Sequence, residues 1–229
     1  LGGALEQLTN CPVPLRQWEW HYLMRLCRVE PQILQSTTGV FSVAYHPNGG
    51  QLAAACGDGT IKLFNTSSGM EVQTLPAHSA YVFAVTFNPD GRQLASASAD
   101  RTVRLWDLAT RQKVFERPVH VGDYTGMAYG LAFSPDGRLL VAGDDEGNAI
   151  AWNTADGSEA YRVPKHGRAA VSVAFSRDGR LATGSWAGDL SIADCRTGQL
   201  LDRGNAHRGR ISAIVFHPED RWLATASLD

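Results

Sequence analysis

Seven histidines, four cysteines and 23 carboxylates are the groups of this 229-residue sequence that could ligate a metal, attack a substrate or carry a proton. Each of those chemistries demands a spacing. Cys11, Cys27, Cys56 and Cys195 are scattered with no Cys-x-x-Cys pair, the pattern of inert thiols in a reducing compartment and not of a zinc site or a disulfide framework. The sequence has no Gly-x-Ser-x-Gly elbow, no phosphate-binding loop ending in Gly-Lys-Ser/Thr, no His-Glu-x-x-His, and no His-Arg-Asp or Asp-Phe-Gly of a protein kinase. The histidines keep a beat instead. His78, His120, His166 and His207 stand 42, 46 and 41 residues apart, while His46 and His217 each precede a proline. So regular a series belongs to an architecture that repeats. The reading is therefore no catalytic residue, no metal, no cofactor, and structural imidazoles.

The repeat itself is an apolar stretch closing on an aromatic residue and a turn, Phe-x-Pro-Asp-Gly in the second and third units and a close variant in the others. It occurs at Val43–Gly49, Val85–Gly91, Leu131–Gly137, Val173–Gly179 and Ile214–Asp220, with the aromatic at Tyr45, Phe87, Phe133, Phe175 and Phe216. Within the second unit an alternating strand ends in the turn Pro89–Arg92, where Pro presets φ and Gly accepts a positive one. A small-residue strand (Leu94–Ala99), a turn at Asp100-Arg101, a third strand (Thr102–Trp106) and a fourth (Gln112–Phe115) follow. Four short strands in about 42 residues make one blade of a β-propeller. The expected fold is all-β: four complete four-stranded blades and a partial fifth over residues 31–229, after a helical linker over residues 1–30. Residues 210–227 supply two strands of the fifth blade, and residues 32–35 stand where an outer strand would precede the first. Beginning at Leu1 and breaking off at Asp229 inside a repeat, the chain reads as a fragment of a larger propeller. The alternative is a whole molecule that closes imperfectly or associates through an open edge.

Over residues 36–229 these units resemble the WD-repeat β-propeller family, best in the second unit, which opens on Ala77-His78 and closes on Trp106-Asp107. The resemblance implies that His78, Ser96, Asp100 and Trp106 form a structural hydrogen-bond relay, in which imidazole, hydroxyl and indole satisfy a partly buried carboxylate. Carried to the other units, it keeps His120, Glu146 and Trp152 in the third, with Ala142 at the hydroxyl place. The fourth keeps His166 and Thr183, with Ala187 and Ala193 for Asp and Trp. The first has Asp58 with Ser36 and Phe64 for His and Trp, and the fifth opens on His207. Only the second unit is expected to be fully wired.

The resemblance further implies a partner-binding face at the start of each first strand and just before each second turn. There stand Tyr81, Phe83, Met127, Tyr129, Asp145, Trp186 and Arg210, residue types enriched among interface anchors; the alternative has several of them merely filling the channel wall. The extra loop Val121–Gly126 would add Asp123 and Tyr124 to the rim. Some propellers hold a catalytic metal at the hub with one carboxylate per blade, but Asp145 and Asp123 have no matching set in the other units. A formal charge of −2, with 44% hydrophobic and 19% charged residues, excludes a polyanion binder, so no nucleic acid is expected. No apolar run nears the roughly 18 residues of a membrane span. A cytoplasmic setting is expected.

Leu15, Trp18, Tyr22, Leu26 and Val29 fall on one helical stripe between Pro14 and Pro31. The run Leu15–Cys27 also resembles the segment that precedes a WD-repeat propeller in large bacterial multidomain proteins, often after a serine/threonine kinase domain. The function expected is a non-enzymatic scaffold binding a protein or peptide on the aromatic face. The alternatives are a regulatory or substrate-recruiting domain of a bacterial kinase or signalling ATPase whose catalytic part lies outside this chain, and a purely structural subunit.

Overall fold

Short alternating strands joined by tight turns pair with their sequence neighbours, so each repeat folds as a meander. The computed structural model describes residues 10–12, 33–119, 128–164 and 166–229. The first blade comprises β1 to β4 (Val40–Tyr45, Gln51–Cys56, Thr60–Asn65, Glu71–Pro76) and the second β5 to β8 (Val82–Phe87, Gln93–Ser98, Thr102–Asp107, Lys113–Pro118). The third comprises β9 to β12 (Ala128–Phe133, Leu139–Asp144, Ala149–Asn153, Glu159–Val163), and the fourth β13 to β16 (Ala170–Phe175, Arg180–Ser185, Asp189–Asp194, Leu200–Asn205). A two-stranded sheet, β17 and β18 (Ile211–Phe216, Leu223–Ser227), begins a fifth. All pairings are antiparallel between consecutive strands. The architecture is thus the four blades plus partial fifth expected from the repeat.

Residues 36–229 form one compact unit and residues 1–35 another. Of the latter, 10–12 and 33–35 are described, with neither helix nor strand. The helix expected over Leu15–Val29 lies outside the described residues. The outer strand expected at 32–35 does not form over residues 33–35. A strand forms only where a neighbour supplies its hydrogen bonds, and residues 33–35 pair with no strand among the described residues.

The blades stack through their faces. One cluster joins Ile61, Leu63 and Leu75 of the first blade to Val82, Phe87 and Leu94 of the second; a second joins Val103, Leu105 and Phe115 to Leu140, Ile150 and Trp152; a third joins the third blade to the fourth. The second strand of each full blade is the most buried, and it is made of small residues, as in Ala53 to Ala55 and Ala95 to Ser98. Small side chains there let adjacent sheets approach closely. At the inter-blade turns, His46 Nε2 donates to the Gly91 carbonyl of the next blade (3.0 Å), which gives that proline-preceding histidine a structural role.

A further regularity sits at one end of every blade. The pairing of first with second strand shifts register once near its start: between Val40 and Ser42, Val82 and Ala84, Ala170 and Ser172, and Ile211 and Ala213, with the matching shift in the third blade between Ala142 and Asp144. These are β-bulges, which re-aim a side chain without ending the strand.

One close inter-blade approach is at Gly143, where an added Cβ would collide with the Ala170 backbone carbonyl of the fourth blade. Backbone cannot swing away as a flexible side chain can. Gly143→Ala is therefore expected to cost about 1–3 kcal/mol through overpacking, read as a lower urea midpoint with unchanged slope.

Candidate functional site

The relay of the second blade is assembled from the loop before β5 and from β6 and β7. Trp106 Nε1 can only donate, and it donates to Ser96 Oγ at 3.0 Å. The Ser96 hydroxyl proton is then free for His78 Nε2, 2.7 Å away, which leaves the ring proton on Nδ1, facing Asp100 Oδ2 at 2.9 Å. Donors and acceptors alternate along the whole chain with a neutral imidazole. Burial alone would raise the Asp100 carboxyl. The bonds from His78, Thr102 and the Ser79 amide outweigh it and hold the group well below the ordinary carboxylate range. Burial pushes His78 down against the pull of that charge. A neutral ring bonded on both nitrogens inside the protein is a brace, not a proton carrier.

The other blades keep part of this wiring. In the fifth, His207 Nε2 meets Thr225 Oγ1 at 2.8 Å and Nδ1 meets Asp229 at 3.1 Å, while the Arg208 amide donates to Asp229 at 2.6 Å. Thr225 and Asp229 thus complete a second His-hydroxyl-Asp set where only His207 was singled out, without the indole that makes the second blade's relay four-membered. Counting in register from Phe216 would have found both. In the fourth, His166 Nε2 meets Thr183 Oγ1 at 2.7 Å. Ala187 stands where Asp would, and the buried Nδ1 has no hydrogen-bond partner among the described residues. In the third, Trp152 is buried in the core, and His120 lies outside the described residues. Its second turn is held instead by buried Asp144, which accepts from the Glu146 and Asn148 amides and from Asn148 Nδ2. In the first, Ser36 Oγ lies 3.9 Å from Cys56 Sγ, and the Asp58 carboxylate accepts from Thr60 instead.

The bulges bring the aromatic residues together. Phe41 and Phe83 occupy the extra positions of β1 and β5, and Tyr129 lies inside the shifted stretch of β9. One backbone bond recurs beside them: Gly57 N to Gly39 O, Ala99 N to Tyr81 O, Trp186 N to Ala169 O and Leu228 N to Arg210 O. It ties the residue before each second turn to the approach to the first strand. Phe41 stacks on Tyr81 (5.7 Å between centroids) and meets Phe83 edge-on (5.4 Å). Phe83 stacks on Tyr129 (5.1 Å), Tyr129 lies 6.0 Å from Trp186, and the Arg210 guanidinium covers Trp186 at 5.4 Å. A continuous ladder therefore crosses from the first blade to the fifth. Tyr81 and Trp186 are exposed, at 55% and 41%. Asp145 is half-buried beside Tyr129; burial first, and the Asp145 charge second, raise the Tyr129 phenol. Met127, Asp123 and Tyr124 lie outside the described residues. Phe41, Phe83, Tyr129 and Arg210 also line a cavity of about 500 Å³ floored by Ser42 and Ser212. Among the described residues no group of three His, Cys, Asp or Glu is close enough to hold a metal ion.

A family model described as the IFT122 first beta-propeller matches residues 39–229, the stretch that contains every described strand. No curated protein matches the chain.

Two outcomes follow from the relay. Trp106→Phe keeps most of the packing and removes the indole donor, at an expected cost of about 1 kcal/mol, whereas Trp106→Ala costs about 3–5 kcal/mol; chemical denaturation of both variants separates hydrogen bond from burial. His166 supplies the second. Burial, and then the Arg203 charge, push its imidazole down to about 4. The unfolded chain takes up that proton near the ordinary value of about 6.5, so the stability His166 contributes is full above that pH and is lost as pH falls toward about 4. Ala187→Asp gives Nδ1 the acceptor present in the second and fifth blades. The variant is expected to lose less melting temperature than the wild type between about pH 7 and about pH 5; equal losses would show that His166 does not set the acid limit.

Proposed function

Because the chain belongs to the IFT122 first beta-propeller family, we propose that it is a non-enzymatic scaffold that binds a protein or peptide on its aromatic face. The observation that carries this reading is the ladder from Phe41 to Arg210, which joins rings of four consecutive blades on one rim and leaves Phe41, Tyr81 and Trp186 exposed. Aromatic residues concentrate binding energy at interfaces because they bury large area with few rotors, and arginine because its planar guanidinium stacks and donates several hydrogen bonds at once. Among the described residues, His78 and His207 are bonded on both ring nitrogens. That occupancy argues for recognition over catalysis.

The second reading, a regulatory or substrate-recruiting domain attached to a bacterial kinase or signalling ATPase, draws on the Leu15–Cys27 sequence, which precedes the matched residues. It is compatible with the first, since recruitment would use the same rim.

The test is affinity capture with quantitative mass spectrometry, comparing wild type, Tyr81→Ala/Trp186→Ala, and Arg138→Ala. Arg138 lies in the turn between β9 and β10 at the opposite end of the strands and is highly exposed. Partners held by wild type and Arg138→Ala but lost by the double variant, at an unchanged melting temperature, are expected. Identical capture by all three would leave the scaffold a purely structural one.

A further inference from the structure

The pocket between the first and second blades has walls unlike the rest of the ladder. It measures about 500 Å³ and is lined by Gly57, Asp58, Ala80, Tyr81, Phe83 and Ala99. Tyr81 and Phe83 contribute ring surface, and three of the other residues carry at most a methyl group. Phe41 stands behind Gly57: a Cβ there would lie 3.3 Å from the Phe41 ring, so the glycine leaves that ring reachable. The three rings lie at mutual centroid distances of 5.7, 5.4 and 6.4 Å with interplanar angles of 30°, 83° and 71°, a box with differently facing sides. Ring faces carry negative quadrupole potential and attract cations.

The remaining wall is ionised. Asp58 is the first blade's version of the relay carboxylate. In the second and fifth blades that carboxylate is taken up by a histidine and a backbone amide, His78 with Ser79 and His207 with Arg208. Here Ser36 replaces the histidine. Asp58 Oδ1 accepts from the Thr60 amide (3.0 Å) and hydroxyl (2.6 Å), and Oδ2 has no hydrogen-bond partner among the described residues. The Thr60 hydroxyl bond, foremost, holds the carboxyl below its ordinary value, so it is charged at neutral pH. Lys62, the nearby internal cation, directs its ammonium to Glu71 at 3.2 Å. The pocket therefore offers negative potential from rings and carboxylate with no cation of its own filling it.

Resting on the interaction-face reading, we propose that this pocket receives the alkylammonium side chain of a lysine on the partner, with its methylene stem against Tyr81 and Phe83 and its charge toward Asp58. An anionic side chain would meet the Asp58 charge. A neutral aliphatic one would desolvate it without return.

The proposal is tested on the full 229-residue chain by titration with the Nα-acetyl amides of lysine, trimethyllysine and norleucine at low salt, followed by ligand-detected NMR. Both cationic amides are expected to bind, with the neutral norleucine amide about tenfold weaker. Asp58→Asn keeps an oxygen for Thr60, so the turn is preserved; it is expected to weaken the two cations by about threefold or more and leave norleucine unchanged. Tyr81→Leu is expected to weaken all three. Norleucine binding as tightly as lysine, a silent Asp58→Asn, or no binding by any amide would overturn the lysine pocket. Those outcomes leave the interaction face itself to the capture experiment, in which the Tyr81→Ala/Trp186→Ala variant reports on the rim as a whole.

Discussion

A sheet that is apolar on both faces cannot remain alone in water, and every other property of this molecule follows from how its sheets cover one another. Cover requires close approach, and close approach requires small residues. That is why the second strands are rich in Ala, Ser and Gly after one early leucine such as Leu94 or Leu140, while Ile61 and Leu105 of the third strands fill the space between blades. Where cover is absent among the described residues the same alternation leaves apolar surface open: Val43 and Tyr45 on the first blade, Val215 and Trp222 on the fifth, are exposed by more than half. Such faces are the natural continuation surface for further sheets.

The hydrogen-bond relays solve a local problem that stacking creates. Turning from second to third strand leaves a carboxylate or a hydroxyl beside a partly buried backbone, and each blade satisfies it differently. Asp100 and Asp229 are held by histidines, Asp144 serves a whole turn by itself, and Ser185 accepts from the Ala187 and Asp189 amides. In the first blade Ser36 stands in the histidine's place, and Asp58 accepts from the Thr60 amide and hydroxyl. A histidine left without its acid, as at His166, remains neutral and packed, and carries an acid-sensitive liability.

Most of the fold was legible in the primary structure because its signals are periodic. Five aromatic-to-turn phrases, two of them aromatic-x-Pro-Asp-Gly and three close variants, mark the blades, and the first two turns of each could be located to within a residue or two from Pro, Gly and Asp alone. The relay of the second blade was legible for the same reason, since His78, Ser96, Asp100 and Trp106 all carry side chains that have few other reasons to recur. The fifth blade's pair was overlooked because Thr225 and Asp229 lie at the last positions of the sequence, away from any Trp that would flag them. Asp144 was hidden by a change of chemistry: it occupies the place that Ser98 holds in the second blade. The bulges were invisible, because one extra residue in a strand alters neither composition nor average period. The strand expected at 32–35 had the right alternation and lacked a neighbour, and pairing, unlike propensity, cannot be read from a single segment.

The register shift at the head of each first strand has a wider consequence. A bulged residue leaves the ladder, so its identity is nearly decoupled from the pairing on either side of it. Phe41, Phe83 and Tyr129 have counterparts in Val171 and Ser212 at the corresponding places, and the blades accept ring, branched aliphatic and hydroxyl alike. Selection can therefore rewrite what the rim recognises while the scaffold underneath stays constant, an arrangement that makes molecular specificity evolvable at little risk to folding.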